Sequence, residues 1–118
     1  MRLAFQVQNT GSLDAQLKQL SATVTGDQAL AEVVEVKVCE VPDCSVNVFY
    51  DGTLWALAQT PQNFAPPVVL YAGNLFDDGD LITLFFVVTV PLSANDTLQG
   101  MTVQAAFQVY AEQLRNNP

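Results

Sequence analysis

An antiparallel β-sandwich is the fold class that the sequence predicts, and three observations predict it. Apolar residues alternate with a period of two in seven segments, clusters of turn formers separate those segments, and no stretch sustains a helical period. Two sheets built from such strands bury each other's apolar faces. The 118 residues read as a single domain spanning 1–118, long enough to remove roughly two-thirds of its unfolded surface from water.

The first strand places Leu3, Phe5 and Val7 on one face and Ala4, Gln6 and Gln8 on the other. Asn9 to Ser12 is a turn. In the next segment Leu13, Ala15 and Leu17 share a face, but Leu20, Ala22 and Val24 continue one residue out of phase, which predicts a β-bulge near Lys18. Strands follow at Val33–Cys39 and Ser45–Tyr50, the second ended by the Asp51-Gly52 turn. "GTLWALAQ" reads as one short helix, because Leu54, Leu57 and Ala58 recur at three and four residues. The stretch around Pro61, Pro66 and Pro67 reads as loop. Val68–Ala72, Leu81–Val90 and Met101–Glu112 complete the set, separated by Asn74–Asp80 and by "PLSANDTLQG".

Twelve acidic and four basic residues give a formal charge of −8, so a phosphate backbone or an anionic lipid surface repels the chain; nucleic acid is excluded as a partner. Only 14% of residues are charged, which leaves little to oppose self-association. The longest apolar run, Leu84 to Val88, falls well short of the roughly 20 residues of a membrane span. "MRLAFQ" lacks the apolar core of a signal peptide, so the chain reads as cytosolic or already processed.

The chain has no histidine, which removes the commonest general base, the commonest zinc ligand and every Ser-His or Cys-His pair. Ser12, Ser21, Ser45 and Ser93 sit in turn or polar-strand contexts, and Glu32, Glu35 and Glu40 have nothing that places them in a cleft. No catalytic residue, no metal site and no cofactor is expected. Cys39 and Cys44 flank "EVPD" and are expected to face each other at the base of a four-residue hairpin loop as a disulfide, with buried free thiols as the alternative. Asp77, Asp78 and Asp80 around Gly79 read as a solvated turn, with a calcium site as the functional alternative. Trp55 and Phe64 read as packing at the end of the sandwich, against an aromatic platform for carbohydrate. In Leu81–Val90 both faces are apolar, with Leu81, Thr83, Phe85 and Val87 on the second. Either a central strand partly covered by the helix or an assembly groove or edge explains this, and those residues are the candidate assembly site.

Taken in order, "FQVQNTGSLDAQL", "LAEVVEVKV", "YDGTLWALA", "DDGDLITLFFVVTVP" and "LQGMTVQAAFQVYAEQLRNNP" resemble the TasA and camelysin family of secreted biofilm-matrix proteins. The resemblance implies a jelly-roll-like sandwich, an extracellular, cell-surface or matrix location, and fibres in which an N-terminal segment of one subunit completes the sheet of the next. Copies of the chain are the implied partners, with an accessory matrix protein as a further one. Against that pattern the chain is expected to lack a signal peptide and a leading strand. The peptidase activity ascribed to camelysin does not carry over, since the chain has no H-E-x-x-H motif. A non-catalytic fibre subunit is therefore the first expectation, and a secreted carbohydrate- or calcium-binding module is its alternative.

Overall fold

A computed structural model describes residues 1–90 and 100–114. The turn-rich stretch Pro91–Gln99, which holds Ser93, and the closing Asn-Asn-Pro lie outside the described residues. The strands are β1 (Arg2–Gln8), β2 (Ala15–Gly26), β3 (Glu35–Cys39), β4 (Val48–Thr53), β5 (Gln62–Leu70), β6 (Leu81–Thr89) and β7 (Val103–Gln113). They form a four-stranded sheet in the order β1-β6-β3-β4 and a three-stranded sheet in the order β5-β2-β7, all pairs antiparallel. The result is a β-sandwich with a short helix, α2 (Leu54–Gln59), and a single further turn, α1 (Gln28–Ala31).

The inner faces follow from the alternation. Val36, Val38, Ile82, Leu84 and Phe86 of one sheet meet Leu17, Leu20, Ala22, Phe64 and Leu70 of the other in one core. The bulge expected near Lys18 is present: Leu17 pairs with Ala111 and Gln19 with Tyr110, so Lys18 is the extra residue, and Leu17 and Leu20 are both buried although three apart.

Helix α2 begins as its sequence requires, with the Thr53 hydroxyl accepting from the Ala56 N–H at 3.1 Å. Leu54 and Leu57 bury its inner side against β2 and β4, and Pro61 follows its end. The preceding Tyr50 hydroxyl donates to the Thr53 carbonyl at 2.6 Å, and burial, then the nearby Asp51 charge, raise its pKa above the usual tyrosine value.

Several expectations change. The Asp51-Gly52 pair, read as the turn that ends a strand at Tyr50, lies inside β4, paired with Lys37 and Val36. The Asn9–Ser12 turn does not return β1 on itself but carries the chain to the opposite sheet. It is fastened there by buried Asn9, whose amide donates to the Leu13 and Leu70 carbonyls at 2.9 and 2.8 Å. The stretch read as loop around Pro66 and Pro67 is part of β5: Leu17 pairs with Val68 and Gln19 with Asn63, so residues 64–67 stand opposite Lys18 without partners in the register. Prolines fit because β5 is an edge strand. Finally, β6 is not an edge, being paired by β1 on one side and β3 on the other.

Candidate functional site

The candidate assembly residues Leu81, Thr83, Phe85 and Val87 stand on the outer face of the central strand β6, opposite in phase to buried Ile82, Leu84 and Phe86. Their cover is not the helix. At the Val87 end the 40–47 loop approaches this face, its Pro42, Asp43 and Cys44 enclosing a small cleft of about 250 Å³ with Val87, Arg2 and Lys37, while Leu81 at the other end is exposed. The Asp43 carboxylate accepts from the Ser45 N–H at 3.1 Å, and hydrogen bonding to Ser45 holds its pKa below the usual aspartate value.

The loop is held by the Cys39–Cys44 disulfide, with Cα atoms 5.3 Å apart. The pairing is as expected, but its place differs: β3 and β4 meet at Cys39 and Val48, so Cys44 lies inside a longer loop rather than at a strand end. Cys44 and Asn47 take positive φ to let the chain return. Closing so short a loop contributes about 2 kcal/mol. Replacing both cysteines with Ala is therefore expected to lower the melting temperature by roughly 8 °C. A reductant should lower that of the parent equally; an unchanged melt in reductant would mean that the bridge adds nothing.

The open side of the sandwich is the feature the sequence did not reveal. At one flank β4 and β5 close the core, with the Phe49 and Phe64 rings 5.0 Å apart. At the other, β1 and β7 are separate edges. Leu3 and Phe5 face inward by register yet remain 43% and 45% exposed, and Phe107 and Val109 opposite them are only half-buried. Phe5, Phe86 and Phe107 form a row across the opening, with ring centroids 6.5 and 4.7 Å apart. Towards the Met1 end the opening deepens into an apolar cavity of about 410 Å³ between Leu3, Val34, Leu54, Val103 and Phe107.

The four edges are not alike. β4 carries Asp51, Gly52 and a register shift, and β5 carries Pro66, Pro67 and its own shift; these are devices that discourage further pairing. β1 and β7 have neither proline nor bulge along their own length. Both unguarded edges border the open side.

The remaining candidates lie elsewhere on the fold. Phe64 is buried, so it forms no platform with Trp55. The Asp80 carboxylate accepts from the Tyr71 N–H at 3.0 Å, while exposed Asp77 and Asp78 border an open depression of about 770 Å³ beside Asn9–Ser12. Among the described residues no three His, Cys, Asp or Glu side chains group as metal ligands, and no helix is long and apolar enough to cross a membrane.

The chain matches no protein-family model, no curated protein and no solved structure.

Proposed function

We propose that the chain is a non-catalytic structural subunit that assembles with its own copies by strand addition, in an extracellular fibre or biofilm matrix. The observation that carries this reading is the unguarded β7 edge beside inward-facing but half-exposed Leu3, Phe5, Phe107 and Val109. An extended segment from another copy, laid along β7, satisfies the free edge and buries those side chains.

The same placement turns a four-on-three sandwich into four-on-four, the eight strands of a jelly roll. A jelly-roll-like fold thus belongs to this reading. The disulfide fits an oxidising compartment, and the small number of charges leaves close packing of copies unopposed.

Sizing with light scattering over a rising concentration series, followed by electron microscopy, tests it. Species larger than one chain, growing with concentration, are expected. A monodisperse monomer throughout would end the proposal.

A further inference from the structure

The Tyr71–Asp80 loop carries the two most exposed apolar side chains among the described residues, Leu75 at 96% and Phe76 at 92%. They are held out by a rigid base. The Asn74 side-chain oxygen accepts from the Phe76 and Asp77 N–H groups at 2.8 and 3.0 Å, and the Asn74 N–H donates to the Asp77 carbonyl at 2.8 Å. Below them the Asp80 N–H donates to the Tyr71 carbonyl at 2.9 Å. Gly79 packs so tightly on the Asn9 carbonyl oxygen that a Cβ there would sit 1.8 Å from it. Holding an adjacent Leu and Phe in water on an ordered support is a feature of an interaction surface.

We propose that this loop is an assembly finger, whose Leu75–Phe76 tip enters the apolar cavity at the Met1 end of a second copy. Tip and cavity lie at opposite ends of the body. The finger leads into Leu81, which pairs with Gln8, whereas the cavity is lined by Met1, Val88, Val90 and Val103, beyond the other end of the same ladder. That ladder spans about 23 Å, within a body 57 Å long, so a chain's finger cannot reach its own cavity. The chemistry matches: an apolar Leu-Phe pair meets apolar walls, and Asp77 and Asp78, next along the loop, stay in water at the rim.

Because tip and cavity are different surfaces, the contact is heterologous and leaves one of each free, so it repeats from copy to copy. A Phe and a Leu with the wall they cover bury on the order of 600–800 Å², a weak contact alone. It therefore acts end to end, beside the side-on strand pairing proposed above, and does not depend on it.

The test uses two variants of the full chain in sedimentation velocity over a concentration series. One is Leu75→Ser with Phe76→Ser. The other is Val90→Asp, which puts a charge at a half-exposed wall of the cavity. Both sites are exposed, so melting curves should match the parent. Each variant should associate about a hundredfold more weakly end to end than the parent. Mixing them should restore a single contact, from the intact tip of the Val90→Asp chain to the intact cavity of the Ser variant, giving a one-to-one dimer and nothing longer by this route. A Ser variant that associates like the parent, or a mixture that gives no such dimer, overturns the finger. If Ala105→Pro alone removes assembly and the tip variant does not, strand addition stands without the finger; the reverse result leaves the finger and removes strand addition.

Discussion

Ala105→Pro is expected to abolish side-on assembly while the subunit stays folded, and Gln6→Pro is expected to leave assembly intact. The contrast follows from hydrogen-bond parity. The Thr102 carbonyl accepts from the Asp27 N–H at 2.9 Å, and bonded pairs recur at every second residue of an antiparallel ladder. Residues 104, 106 and 108 therefore turn their N–H and C=O groups towards β2, and Val103, Ala105 and Phe107 turn theirs to the open edge. On β1, Met1 exchanges both bonds with Val88 at 2.8 and 2.7 Å, so Leu3 and Phe5 bond to β6 and Ala4 and Gln6 face outward. Each proline removes one free edge donor and no existing ladder bond, which is the setting in which strands tolerate proline. Of these two edges only β7 belongs to the three-stranded sheet, where an added strand would make the sandwich four-on-four. Melting curves together with light scattering read both effects. Assembly that survives Ala105→Pro, or is lost only in Gln6→Pro, would move the receiving edge away from β7.

How much of this was legible depends on what alternation records. Alternation reports which way a side chain faces, so the faces of β1 and β6 and even the phase slip at Lys18 could be read directly. Neighbourhood is a different matter. Nothing local tells that Asn9–Ser12 crosses between sheets, because the decisive contact joins Asn9 to Leu70, 61 residues away. Pro66 and Pro67 point to loop by their missing N–H groups, and only knowledge that β5 is an edge makes them acceptable within a strand. The α1 turn is too short to show a period. Likewise the apolar second face of β6 was visible in sequence, but not that β1 and β3 flank it and that the opening lies beyond β1. Alternation alone thus points to β6, whose second face is apolar, and only topology shows that further apolar side chains stay half-exposed along β1 and β7.

Deleting Lys18 is expected to leave the fold standing, whereas deleting Ser21, three residues on in the same strand, is expected to destroy it. In β2 the inner positions are Leu17, Leu20 and Ala22, with Lys18 the one residue that has no partner in the register with β7. Removing Lys18 joins Leu17 to Gln19, whose β7 partners Ala111 and Tyr110 are already adjacent, so pairing with β7 becomes regular and every inner residue keeps its face, while residues 64–67 stay the extra residues of β5 on the other side. The strand loses only the local twist of its bulge. Removing Ser21 does the opposite. Leu20 and Ala22 become consecutive, and a strand cannot turn both inward, so one segment must reverse its faces. Reversal beyond the deletion exposes Ala22 and Val24 and drives Thr23 and Thr25 into the core; reversal before it, with the Lys18 bulge closed so that Leu17 keeps its face, exposes Leu20, about 1% exposed in the native sandwich, and drives Gln19 inward. Losing a buried leucine costs about 2–5 kcal/mol, and each hydroxyl or amide buried without a partner costs about 1–3 kcal/mol, so either course removes much of the 5–15 kcal/mol that holds a domain of ordinary stability. Thermal melts and near-ultraviolet circular dichroism measure the difference. The Lys18 deletion should melt cooperatively within roughly 8 °C of the parent, and the Ser21 deletion should show no cooperative transition. If the two deletions behave alike, Lys18 is not the residue that sets the phase of β2.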